Sequence, residues 1–468
     1  MGRPRKPKNT FSSKVTPARK LAYDVLTEIR VHKVFLEQAW NKQVRNRNLP
    51  PAEIAFARLL ATQVVSHKGS LDELINSILK SPDDIQNDVR EALRISFSEL
   101  FYLGKQDHVV VNEGVELVRS VAPKASGVAN FVLRRACELK PSFPFGDPKT
   151  DVKAASLAFG YPSWLVSSLR DTYGIEAANR FLENSNEPAP FFFVINQAHA
   201  NGPQTLKALV NQGIKVAPIL RIQQNKQGLS CFVFAKRSDV GHPFVVELLK
   251  KGTLIISDGA AQSIAAMAVP LTFPEKMLEI GAGRGTKSLL MQNVALARFG
   301  KQMNLDTLDL DVRRTKERIA RLKQAEIEQG QVYCQSACDL SNFEPQSYDA
   351  VFIDAPCSGL GTLRRHADIR WRITSKDIED FARDDAEMLK QAARLVKAGG
   401  QLTYATCTVT PQENDQAVDV FLQSNEGASF RVVKRKLCND LFSKETTSPL
   451  FDSHYVCVFN KCVSLAVN

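Results

Sequence analysis

The sequence predicts a chain of several domains that ends in an α/β domain built on a doubly wound parallel sheet. Three observations predict it. The 468 residues exceed one core and allow two to four domains. Hydrophobic periodicity is helical through residues 16–137. From residue 251 onward, short apolar runs alternate with amphipathic stretches, which is the rhythm of βαβ units.

Residues 1–15 carry Arg3, Arg5, Lys6, Lys8 and Lys14 and no acid, and read as a disordered, phosphate-seeking tail. Residues 16–145 read as an all-α bundle. Thr16-Pro17 opens a helix, with Leu21, Val25 and Ile29 repeating on one face. Amphipathic stretches follow at 52–66, 71–80, 87–103, 109–121 and 126–138. Residues 146–250 read as a small α+β linking domain. A helical part (163–183) precedes the strand-like run Phe191–Asn196, a helix at 203–212, and short strands near 214–220, 230–235 and 243–248. In residues 251–468, strands fit at 277–281, 304–309, 331–335, 349–354 and 400–406. Helices fit at 286–299, 313–329, 376–397 and 412–424. Right-handed crossovers then place every strand's carboxyl end on one edge.

Composition narrows the function. A 44% hydrophobic content supports real cores, and no run of about 18 apolar residues provides a membrane span. No apolar segment follows the basic start as a secretory signal requires. The net charge of +11 suits a phosphate-bearing partner. Nine cysteines without zinc-ribbon spacing lead us to expect free thiols, a reducing cytoplasm and no metal.

The segment Met277–Lys287 runs from a strand through Gly281, Ala282, Gly283, Arg284 and Gly285 into a helix, with Lys287 in its first turn. Glycines admit positive φ and close approach of a ligand, and helix N-terminal amides favour an anionic group. Asp309 ends the second strand, where an acid can accept from ribose hydroxyls, while Asp311 suits a helix cap. Asp339 follows the third strand, within reach of an adenine edge. A nicotinamide dinucleotide and adenosylmethionine both fit these features.

Two thiols decide between them. Asp354 and Cys357 stand where an apolar strand breaks at Pro356, and Cys407 ends the next strand. In an open α/β sheet, ligands bind outside these ends, and neighbouring strands lie about 5 Å apart. A dehydrogenase needs no such pair, whereas pyrimidine C5 methylation does. Carbon 5 of cytosine is a poor nucleophile until a thiolate adds at carbon 6. A carboxylic acid at N3 stabilises the charge shift, and a second thiol near carbon 5 assists elimination. The base must leave its stack to reach such a crevice.

The stretches Asp354–Arg372 and Tyr404–Asn414 carry a family resemblance. On them the chain resembles the Sun (Fmu) branch of the RNA (rRNA) cytosine-C5 methyltransferases. The resemblance implies that Cys407 is the nucleophile and Cys357 promotes release. It implies S-adenosyl-L-methionine as cofactor, held by the loop Gly281–Gly285 with Lys287, Asp309, Arg314, Asp339 and Asp354. Ribosomal RNA, of the 16S small subunit, is the implied substrate of a monomeric enzyme. Residues 16–145 resemble that branch's NusB-like RNA-binding domain, through Val111–Leu117 and Ala129–Arg135. Residues 146–250 resemble its linking RNA-binding domain, and 251–468 its catalytic domain. Arg364, Arg365, His366 and Arg372 are expected to contact RNA, while Trp371 suits stacking or core packing.

The chain also departs from the family pattern. The cofactor loop lacks the usual Ala-Ala-Pro-Gly-Gly-Lys-Thr, and Asp385 stands where a glutamine is usual. Val194-Ile195-Asn196 replaces Arg-Val-Asn, and the glycine-phenylalanine signature near Tyr455 is missing. The altered loop is the one support for an alternative, a NusB-like RNA-binding protein with an inactive methyltransferase fold.

Overall fold

The computed structural model describes residues 15–45, 47–199, 204–219, 230–444 and 450–463. Apart from Val15, the expected basic tail lies outside the described residues, as do parts of the helix expected at 203–212 and the strand near 214–220. The chain forms two compact units. One comprises residues up to Asn186 together with His366–Arg372, and the other Glu187–Arg365 with Ile373 onward.

The first unit is helical. Pro17–His32, Pro51–Ser66, Lys68–Ile78, Asn87–Phe101, Asp107–Val121 and Ser126–Leu139 follow the periodic stretches within a few residues, and Leu36–Val44 adds a short helix. Pro17 occupies the first turn, and Leu21 and Val25 are fully buried. Asn87–Phe101 is the central helix, buried along most of its length. Its Glu99 accepts two hydrogen bonds from the Arg19 guanidinium, at 2.8 and 2.9 Å, so the charge it buries is paired.

The unit runs past residue 145, where the sequence suggested a boundary. Helices Val152–Phe159, Ser163–Tyr173 and Ile175–Asn184 pack within it. Ser70 Oγ donates to Ser156 O at 3.0 Å, and Tyr102 Oη to Leu157 O at 2.7 Å. A short apolar pattern shows that a helix is amphipathic but not which neighbour covers its apolar face.

The second unit holds two sheets. The smaller consists of β1 (Phe192–Ile195), β2 (Val216–Pro218), β3 (Cys231–Phe234) and β4 (Leu254–Ile256), in the order β2-β3-β1-β4, with every pairing antiparallel. Helices Thr205–Asn211 and Pro243–Lys250 complete a βαββαβ arrangement. The strand expected at 243–248 is thus a helix. Pro243 takes its first turn, and His242 Nδ1 accepts from Phe244 N. An apolar run this short does not separate strand from helix.

The larger sheet orders β10-β11-β9-β8-β5-β6-β7. Here β5 is Met277–Ile280, β6 Leu305–Leu308, β7 Val332–Tyr333, β8 Tyr348–Asp354 and β9 Val396–Thr406. These five strands pair in parallel, as expected. The hairpin β10 (Phe430–Leu437) and β11 (Tyr455–Lys461) is antiparallel and was not anticipated. The basic edge strand β10 is largely exposed and lacks a buried apolar face to signal it. The helix expected at 412–424 opens as a π-turn over Gln412–Gln416 and becomes α-helical only over Ala417–Leu422.

Candidate active site

Adjacent parallel strands bring the chemistry together. Asp354, the last residue of β8, pairs in register with Ala405 of β9. Pro356 follows on one side and Cys407 on the other, so both thiols leave the sheet at the same edge. The Cys357 and Cys407 sulfurs lie 3.1 Å apart, and Cys407 N donates to Cys357 Sγ at 3.2 Å. Both cysteines are free and partly buried. The hydrogen bond with Cys407, reinforced by burial, pushes the Cys357 thiol well above its ordinary range. Cys357 therefore keeps its proton.

A buried network fixes the two cysteine loops. Glu413, turned inward by the π-turn, accepts from Ser358 N at 2.6 Å and Ser358 Oγ at 2.7 Å, and also from the Thr410 hydroxyl. Asn414 Oδ1 accepts from Thr406 Oγ1 at 2.6 Å, and Gly361 N donates to Cys407 O at 2.9 Å. Burial raises the Glu413 pKa against the hydrogen bonds that lower it. Beneath them, Tyr404 Oη lies 2.8 Å from Asp385 Oδ2 and 2.6 Å from Glu413 O. One hydroxyl proton cannot serve both acceptors. Burial pushes Asp385 well above the carboxylate range, so a neutral Asp385 donates to Tyr404 and Tyr404 donates to Glu413 O. Glu413, Asn414, Tyr404 and Asp385 were not among the sequence-derived site residues. The signal for the first three was the motif Tyr404–Asn414 itself, whose cysteine alone was assigned a role, and Asp385 was visible only as standing where a glutamine is usual.

Lys287 Nζ meets Asp354 Oδ2 at 2.6 Å. Burial works against the ammonium charge, but Asp354 outweighs it and holds the Lys287 pKa above its ordinary value. Lys287 lies in the first turn of helix Thr286–Phe299, whose N-cap Gly285 supplies no side-chain cap. The first-turn amides thus suit an anionic group such as a carboxylate. Gly281, Gly283 and Gly285 all have positive φ. A Cβ at Gly281 would sit 2.2 Å from Asp354 O, so only glycine lets the loop approach the end of β8. Beneath the loop, Glu279 Oε1 is buried without a hydrogen-bond partner among the described residues. Uncapped amides, a side-chain-free approach and an orphaned carboxylate oxygen make a cradle fitted to an amino-acid-bearing cofactor.

The other expected cofactor residues divide. Asp309 Oδ2 accepts from Gly283 N at 2.7 Å and Oδ1 from Asp311 N at 2.8 Å, so it positions the loop. Asp311 caps helix Val312–Gln324. Arg284 pairs with Glu317 at 2.8 Å. Arg314 is exposed beside Asp311, and Asp339 is exposed with Oδ1 accepting from Ser341 N. Neither shows a hydrogen bond to the loop among the described residues.

The expected RNA contacts need correction. Arg364 is spent on Asp452, at 2.7 and 3.0 Å, with its side chain only 3% exposed. Arg365 bridges Asp452 and Asp258, at 2.6 and 3.1 Å. Arg372 donates to Lys33 O and Val34 O inside the helical unit and lies over the Phe35 ring. These arginines anchor chain segments because each finds a buried acid or carbonyl, which a basic run does not reveal. His366 remains exposed. Trp371 packs, with Nε1 donating to Ser66 O at 2.9 Å.

Among the described residues, no cluster of histidine, cysteine or acidic groups is arranged to hold a metal, and no helix is long and apolar enough to cross a membrane.

Comparison with known proteins matches three family models in chain order. Residues 16–138 match the NusB family, 161–225 an RsmF/B-like ferredoxin-like domain, and 266–450 the 16S rRNA methyltransferase RsmB/F. A probable ribosomal RNA small subunit methyltransferase B of Bacillus subtilis is 25% identical, covering 88% of this chain and 89% of its own. Ribosomal RNA small subunit methyltransferase B of Salmonella arizonae is 27% identical, covering 80% and 83%. The crystal structure of PH0851 superposes with a TM-score of 0.72 at 19% identity, over 95% of this chain and 99% of that one. NSun6 of Pyrococcus horikoshii, solved with SFG, gives 0.50 at 14% identity, over 64% and 98%. These two structures share the fold.

Proposed function

The chain joins a NusB-family domain to an RsmF/B-like ferredoxin-like domain and a 16S rRNA methyltransferase RsmB/F domain, which bears out the resemblance to the Sun (Fmu) branch, and from this we propose that it methylates carbon 5 of a specific cytosine in small-subunit ribosomal RNA. The observation that carries the reading is the contact of two thiols, 3.1 Å apart, at the sheet edge that also presents Asp354 and Lys287.

Gly281–Gly285 and the first turn of helix Thr286–Phe299 would hold S-adenosylmethionine, which would supply an electrophilic methyl group. The Cys407 thiolate adds to carbon 6 of the flipped cytosine, forming a C–S bond. Asp354, steadied by Lys287, serves N3, where charge builds as the ring loses aromaticity. Carbon 5, now nucleophilic, would take the methyl group as the methyl–sulfonium bond breaks, with S-adenosylhomocysteine as the leaving group. The carbon 5 proton then passes to water, the C5–H electrons form the 5,6 double bond, and the C6–S electrons return to Cys407. Cys357, against the Cys407 sulfur, assists that release. The cytosine-specific roles rest on the chemistry of the thiols and on the family resemblance.

Unmethylated small-subunit rRNA, incubated with the protein and labelled S-adenosylmethionine and then bisulfite-sequenced, tests this. The expected result is one protected cytosine. Label that enters the RNA without bisulfite protection would overturn the C5 assignment.

A further inference from the structure

Arg318 lies fully buried in helix Val312–Gln324, directly behind the glycine loop. Its Nη1 donates to Gly283 O at 3.0 Å, while Gly283 N donates to Asp309 Oδ2 at 2.7 Å. Gly283 is therefore gripped on both sides, its amide by an acid at the end of β6 and its carbonyl by a cation from the following helix. The Arg318 stem also reaches Gly285, where a Cβ would stand 2.8 Å from Arg318 Cγ. One turn on, Arg321 Nη1 donates to Thr286 Oγ1 at 2.8 Å.

The cation is buried at a cost. Arg318 Nε and Nη2 have no hydrogen-bond partner among the described residues, and neither has Glu279 Oε1 below the same loop. Desolvation lowers the Arg318 pKa, and the charges of Glu279 and Asp309 oppose that. Unsatisfied buried donors on a cation are expensive. Here they adjoin a loop with three positive-φ glycines, which otherwise has wide conformational freedom.

We propose that Arg318 is a positioning residue that sets the conformation of the cofactor loop through the Gly283 carbonyl, and so sets affinity for the cofactor. The loop lacks the family's usual proline, and the arginine clamp holds it instead. Because Arg318 takes the Gly283 carbonyl, that group turns toward the helix. The amides of the first turn of Thr286–Phe299 are then left to face a ligand carboxylate.

The inference rests on the adenosylmethionine reading, and calorimetry with S-adenosylhomocysteine separates the two. If wild-type protein does not bind, the cofactor reading fails. If it binds, Arg318→Leu is expected to weaken binding at least about tenfold, the loss of one charge-assisted hydrogen bond. The KM for S-adenosylmethionine should rise in step while kcat at saturation stays within about twofold. Arg318→Lys keeps the charge and should weaken binding less, though measurably; it carries the test if the leucine variant does not fold. A lowered melting temperature with unchanged affinity in whichever variant folds would mean that Arg318 is structural only, and would overturn the proposal.

Discussion

The Cys407 backbone amide donates to the Cys357 sulfur at 3.2 Å, and the Cys357 thiol in turn stands 3.1 Å from the Cys407 sulfur. This makes the two cysteines unequal. The Cys407 side chain and burial push the Cys357 thiol up, against the amide hydrogen bond that lowers it, and the harder thiol to ionise is the poorer nucleophile, which favours Cys407 for that role. Cys407→Ala is expected to lower methyl transfer by on the order of 10⁴ or more and to give no covalent RNA complex. Cys357→Ala should also be slow, but should trap RNA as a band that survives denaturing electrophoresis. The reverse pattern would exchange the two roles.

Arg364→Ala is expected to cost about 1–3 kcal/mol of stability, because buried Asp452 loses the partner of its Oδ1 and keeps only Arg365 on its Oδ2. Arg364 and Arg365 together hold Asp452 below the carboxylate range against the burial that raises it. RNA affinity, plotted against salt, should keep its slope in either arginine-to-alanine variant that folds. A phosphate contact would instead reduce the slope by about 1.

These arginines also show where the sequence stopped being informative. The parallel strands and their helices were legible because periods of 2 and 3.6 are local properties. The edge bearing the thiols was legible because strand ends and crossovers follow fixed rules. A cation in the sequence says nothing of its partner, so Arg364, buried on Asp452, looked like a phosphate ligand. Likewise the basic run Arg313–Lys323 does not reveal that Arg318 is buried while Ile319 beside it is exposed. Asp385 stood out in the sequence only as a departure from a family pattern, and its pairing with Tyr404 was not visible there. Its proton arrangement needed the distances to Glu413.

Gly281→Ala tests the approach of the loop to β8. The residue sits at φ 77°, and its Cβ would meet Asp354 O at 2.2 Å. Neither atom belongs to a flexible side-chain end, so the loop must move away from Asp354. A stability loss of roughly 1–3 kcal/mol is expected. S-adenosylhomocysteine binding should fall below detection. Gly300→Ala, also at positive φ but with open space around its Cβ, should lose stability while keeping affinity.

Glu279 gives the pH dependence a sign. Burial pushes its carboxyl from an ordinary 4.5 up to about 8, against a hydrogen bond from Ser288 that lowers it. The folded protein therefore holds a proton that the unfolded chain releases. The associated stability is complete below pH 4.5 and is lost as pH rises toward 8, at up to about 1.4 kcal/mol per unit. His454 acts on the other side. Burial, followed by the Lys287 charge, pushes it from 6.5 down to about 4, so its contribution is lost as pH falls through that interval. Urea unfolding followed by circular dichroism should show Glu279→Gln flattening the loss between about pH 5 and 8 while leaving the acid limb as it is. An unchanged slope above pH 5 in that variant would mean that Glu279 is ionised in the folded protein, and its orphaned Oε1 would then need a cation to satisfy it.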